Sequence, residues 1–146
     1  IAAYDLFPKK NAPEYLHYGT LEEVLSKSDI VTLHCPLTED SKNLINQDRI
    51  AQMKKGAILI NAARGPIVDS KALADALNNG YLRGAGVDVF EMEPPLPMDH
   101  PLLHSINTIV TPHIAFASDE SMEIRAKIVF ENIQKWMNKE QVNTIL

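Results

Sequence analysis

The sequence has one cysteine, no long apolar run and more acid than base. Cys35 alone cannot close an internal disulfide, which fits a reducing compartment. No run approaches the roughly 18 apolar residues that a membrane span needs. No basic stretch followed by an apolar core opens the chain, so no secretory signal is expected. A net charge of −5 leaves little cationic surface for nucleic acid, whose binding rests on Lys and Arg neutralising phosphates. His17, His100 and His104 are too scattered to read as ligands, and no metal is expected. These exclusions leave a cytoplasmic protein with a small-molecule partner, without nucleic acid or membrane.

What is present is an ordinary globular composition, 45% hydrophobic and 23% charged, over 146 residues, enough for one domain. The chain alternates short β-branched runs with helical patterns. An apolar run ends at Asp5, and residues 15–18 read as a second short strand. Thr20 and Glu23 have capping-box spacing before a helix whose apolar face is Leu21, Val24 and Leu25. Residues 29–34 and 57–62 read as strands, separated by a helix capped by Asn46 with Ile50 and Met53 inward. Asp69 caps the next helix and Gly80 stops it. Strands over 84–89 and 108–111 follow, and Ser118 opens a long helix to about residue 138. Its Met122, Ala126, Val129, Ile133 and Trp136 step by four and three, which marks one face for burial. Strands alternating with helices imply a parallel sheet with right-handed crossovers.

Residues 58–113 carry the chemistry. Asn61-Ala62-Ala63-Arg64-Gly65, Gly86-Val87-Asp88-Val89-Phe90, Glu93-Pro94-Pro95 and Thr111-Pro112-His113 each sit where a β-type run meets a loop. The carboxyl ends of parallel strands share one edge, so these loops converge on one crevice. Arginine, carboxylate and histidine around one pocket suit a small anionic substrate. Taken alone, His113 reads more readily as structural, Arg64 equally well as a surface ion-pair arginine, and Asp5 and Asp88 as turn or capping acids.

A dinucleotide-binding unit begins with a strand, a Gly-x-Gly-x-x-Gly turn and a helix, with an acid about 20 residues on for the ribose. Asp5 suits that acid, yet only four residues precede it. Gly84-Ala85-Gly86 lacks the third glycine and the following helix. The fold expected is α/β, a Rossmann-like parallel sheet with flanking helices that lacks the first strand and its glycine turn.

On these motifs, in this order and spacing, the chain resembles the D-isomer-specific 2-hydroxyacid dehydrogenases, which include phosphoglycerate, hydroxypyruvate/glyoxylate and D-lactate dehydrogenases. The resemblance runs from Tyr4-Asp5 to the last helix. It implies that residues 1–146 are the later part of an NAD-binding domain, with the substrate domain outside this sequence. It implies hydride transfer between NAD and a small 2-hydroxy or 2-oxo acid. By the same resemblance His113 moves the proton, Glu93 pairs with it, and Arg64 holds the substrate carboxylate. On chemistry alone Glu91 competes with Glu93; the family's Asp-Val-Phe-x-x-Glu-Pro spacing selects Glu93. Asp88 would meet the nicotinamide carboxamide, and Asp5 the ribose, where its charge disfavours the NADP phosphate. His34, Cys35, Pro36, Ala62 and Ala63, with Arg64 and His113, would line the cofactor's path, Cys35 as a packing residue. Members are commonly homodimers. In the family's sheet the glycine-turn strand lies between the strand ending at Asp5 and the strand over 29–34. Here those two must meet directly, take a strand from another chain, or belong to a longer molecule. NAD-responsive corepressors resemble the same residues, formate dehydrogenases carry Gln where Glu93 stands, and an inert fragment is a third reading.

Overall fold

The computed structural model describes residues 1–92 and 95–144. Two compact units make up the chain, Ile1–His113 and Ile114–Leu146.

In the first unit, β1 (Ala2–Ala3) pairs in parallel with β2 (His17–Tyr18). A second parallel sheet runs in the order β3 (Ile30–Leu33), β4 (Ile58–Asn61), β5 (Gly84–Val87) and β6 (Thr108–Val110). Among the described residues β1 and β3 do not pair, so the two strands expected to flank a missing one do not close on each other. All the strand pairings are parallel, as the alternation of strand and helix requires.

The helices start where their caps put them. Thr20 Oγ1 accepts from the Glu23 amide at 3.2 Å, and the Glu23 carboxylate accepts from the Thr20 amide at 3.0 Å, opening α1 (Leu21–Lys27). Asn46 caps α2 (Gln47–Gln52) and Asp69 caps α3 (Ser70–Asn78). Gly80 ends α3 at φ +73°, a left-handed conformation in which a Cβ is strained. The three helices touch in series, and their Leu25, Ile50, Leu73 and Leu77 share one core with Val31, Leu33, Leu59 and Ala85 of the strands. Leu73 and Leu77, one turn apart on α3, are completely buried with Leu25, Ile45, Leu59, Ile67 and Leu82. Burial alternates along β3, with Val31 and Leu33 inside and Ile30 and Thr32 outside. The opposite face leaves Ile30, Ile60 and Ile109 at 58%, 37% and 73% exposure.

In the second unit, Ser118 caps α4 (Asp119–Met137) through the Ser121 amide. Glu123–Lys127 and Glu131–Lys135 pair at one-turn spacing, and Arg125 stacks over the Phe116 ring at 4.9 Å. The expectation that Met122, Ala126, Val129, Ile133 and Trp136 are buried is corrected: all five are exposed. Helical periodicity marks a surface fit to be covered, and among the described residues this unit has no second helix or strand to cover it. No helix among the described residues is long and apolar enough to cross a membrane.

Truncating Leu73 to Ala removes a fully buried side chain, and a urea midpoint should report a loss of about 2–5 kcal/mol.

Candidate functional site

The strand register sets the site. Asn61 stands beside Val87, and Val87 beside Val110, so β4, β5 and β6 end on one line. Asp88, just past β5, links all three ends. Its amide donates to the Asn61 carbonyl at 2.9 Å, and its own carbonyl accepts from the His113 amide at 2.9 Å. Its carboxylate accepts from the Thr111 hydroxyl at 2.5 Å, and the residue is 5% exposed. His113 is held in the left-handed region at φ +57°, a conformation that histidine enters more readily than β-branched residues.

Arg64 leaves the end of β4 through a tight turn. Asn61, 2% exposed, donates to the Arg64 carbonyl and accepts from the Ala63 amide, both at 3.1 Å. The Arg64 guanidinium donates to the Ala63 carbonyl at 2.6 Å. Gly65 then passes so close to the next loop that a Cβ would lie 1.8 Å from the Phe90 carbonyl carbon. Only glycine permits that approach.

A cleft of about 500 Å³ opens at this edge, lined by Arg64, Asp88 and His113. Its walls are largely apolar, with Leu37, Val89, Phe90, Leu96 and Val110. A buried acid, an exposed cation and an exposed imidazole around an apolar cleft can orient a planar polar molecule and exchange one proton with it.

Asp5, His34, Cys35, Pro36, Ala62 and Ala63 lie outside the cleft lining, whereas Glu91 is part of it. Asp5 is exposed in the turn after β1, where it accepts from the Phe7 amide at 2.8 Å. His34 is exposed, with its ring 3.0 Å from the Thr32 hydroxyl. The Pro36 carbonyl accepts from Ser41 at 2.7 Å. Cys35 is half-buried; burial pushes its thiol pKa up, which favours a packing residue over a nucleophile. Ala62 is exposed and Ala63 buried. Glu93 lies outside the described residues.

Glu91 is already engaged. It accepts from Ser70 at 2.7 Å and stands 3.1 Å from His100 Nε2. Burial raises its pKa, but the Ser70 bond, its own loop backbone and His100 together hold it below the ordinary 4.5. In the sequence Glu91 stands out only as a rival to Glu93, and His100 only as one of three scattered histidines. Partners 21 and 9 positions from Glu91 leave no periodic signal by which to pair them.

A crevice outside the carboxyl ends of parallel strands is the ligand site of the open α/β class. Within that class, residues 1–115 match the sequence profile described as D-isomer specific 2-hydroxyacid dehydrogenase, NAD binding domain, and the chain belongs to that family. It is 47% identical to a glyoxylate reductase of Thermofilum pendens over 118 residues, 81% of this chain and 34% of that one. It is 38% identical to a hydroxypyruvate reductase of Blautia hydrogenotrophica over 146 residues, 99% of this chain and 45% of that one. The fold superposes on a D-lactate dehydrogenase of Treponema pallidum with TM-score 0.90 and 35% identity, covering 99% of this chain and 48% of that one. A D-lactate dehydrogenase of Lactobacillus jensenii, solved with NAD+, gives 0.88 at 33% identity over 99% and 47%. The chain therefore spans between 34% and 48% of the length of these relatives.

Because the Glu91 pKa is depressed, its ionisation stabilises the fold above the unfolded value near 4.5, and that contribution is lost as pH falls through the folded value. Ser70→Ala should lower stability at about pH 6 and decline less steeply than the parent towards about pH 3, as read by urea midpoints.

Proposed function

We propose that this chain is the cofactor-binding part of an NAD-dependent oxidoreductase that interconverts a D-2-hydroxy acid and a 2-oxo acid. The observation that carries the reading is the meeting of Arg64, Asp88 and His113 around one cleft at the carboxyl ends of β4, β5 and β6.

The residues present fit the nicotinamide end of the cofactor. Asp88 offers a buried carboxylate, the right acceptor for a carboxamide, beside the apolar Val89, Phe90 and Val110. Asp5, exposed past β1, suits a ribose diol and repels the extra phosphate of NADP. His34, Cys35, Pro36, Ala62 and Ala63, on the loops after β3 and β4, complete the proposed cofactor path. Bound NAD supplies and accepts the hydride.

The chain's own residues do the rest. Arg64 presents a planar fork to the substrate carboxylate and fixes the 2-carbon in the cleft. His113 gives a proton to the carbonyl oxygen in reduction and takes it back from the hydroxyl in oxidation. Glu93 pairs with His113 in this reading and is the carboxylate partner of its ring. The engagement of Glu91 by Ser70 and His100 supports Glu93 for that role, because the rival carboxylate already has partners. Pairing into homodimers belongs to the same reading and is checked by sedimentation.

Titration of the chain with NADH, followed by cofactor fluorescence, should saturate with a Kd on the order of micromolar. No binding at millimolar NADH would remove the cofactor role from this chain as it stands.

In 2-oxo acid reduction, His113→Asn should lower kcat by roughly 10² to 10⁴ while the backbone geometry is kept. Arg64→Lys should mainly raise the substrate KM, since the fork is lost. Unchanged turnover in the His113 variant would sink its assignment.

A further inference from the structure

In the wall of the cleft, Glu91 is held by two side chains outside the lining, Ser70 and His100, and none of the three has a part in the proposed chemistry. Ser70 stands at the start of α3, Glu91 in the loop after β5, and His100 before the turn over Pro101–Leu103. Ser70 Oγ donates to Glu91 Oε2 at 2.7 Å, and His100 Nε2 meets Glu91 Oε1 at 3.1 Å. The Leu102 amide donates to His100 Nδ1 at 3.3 Å, which assigns the ring proton to Nε2, facing the carboxylate. His100 is 4% exposed, and its ring stands at 90° to Phe90 with centroids 5.3 Å apart. A buried imidazole with both nitrogens satisfied holds one orientation, because any rotation strands a polar atom.

The loop after β4, which carries Arg64, packs against the loop of Glu91. The Gly65 backbone rests on the Phe90–Glu91 peptide, with no room even for a Cβ. Asn61 grips the Arg64 carbonyl from below at 3.1 Å. The main chain at Arg64 is thus held between Asn61 and a peptide whose height Glu91 sets through Ser70 and His100.

We propose that Glu91, clamped by Ser70 and His100, is a positioning residue that sets where the Arg64 guanidinium meets the substrate carboxylate. The proposal rests on the substrate role given to Arg64 above. A planar fork engages a carboxylate only over a narrow range of distance and angle, so a small displacement of the 90–91 peptide weakens substrate binding first.

The test compares Glu91→Ala and Glu91→Gln with the parent in 2-oxo acid reduction. Glu91→Ala should raise the KM for the 2-oxo acid about tenfold, with kcat nearly kept and a smaller change in the KM for NADH. Glu91→Gln, which keeps an acceptor oxygen, should recover part of the loss. A collapse of kcat with unchanged substrate KM would overturn the proposal and make Glu91 the partner of the catalytic histidine. An unchanged substrate KM and kcat would overturn it as well. Imidazole nitrogen spectra of the parent and the amide resonance of Arg64 in each variant give a readout independent of turnover. His100 protonated at Nε2 and an Arg64 amide displaced by Glu91→Ala support the clamp even where the parent reduces no 2-oxo acid, an outcome that fails only the reading of function. An Arg64 amide unmoved by Glu91→Ala overturns the clamp.

Discussion

Parallel register is the constraint from which the site follows. Asn61, Val87 and Val110 stand side by side, so the residues just beyond them emerge along one edge. A slip of one residue in any of these pairs would exchange inward and outward side chains and carry Asp88 or His113 to the wrong face. The edge is locked by more than the ladder. Asp88 receives or gives hydrogen bonds to Asn61, Thr111 and His113, so one residue joins three strand ends. Its position in the crevice is a consequence of sheet pairing before it is a matter of chemistry.

The loops between strand and helix follow the same economy. The turn after β4 is fixed by a buried asparagine and a glycine that admits a neighbouring peptide, and the turn after β5 is anchored by a glutamate. The exposed side chains of the cleft, Arg64 and His113, grow from backbone that is itself held. Main chain held by its own hydrogen bonds is the arrangement that lets a site bind without reorganising.

The local features were legible in the sequence because their causes are local. Thr20 with Glu23, Asn46, Asp69 and Ser118 each cap the helix that follows, and Gly80 ends α3. The meeting of Arg64, Asp88 and His113 was legible too, since it needs only the rule that parallel strands share an edge. What spacing could not show were contacts between residues far apart in the chain. Ser70, Glu91 and His100 converge through tertiary packing, and the closeness of Gly65 to Phe90 depends on two loops at once. The apolar stripe of α4 misled for a related reason: periodicity records which face is fit for burial and says nothing of what lies against it.

The sheet face that carries Ile30, Ile60 and Ile109 has a thermodynamic counterpart. Unfolding changes heat capacity in proportion to the apolar area newly wetted, about 12–15 cal/mol/K per residue in ordinary domains. Isoleucines already wet in the folded state add little to that change, nor do the exposed apolar residues of α4. The chain's stability curve should therefore be flatter with temperature than its length implies, and its denaturant dependence shallower.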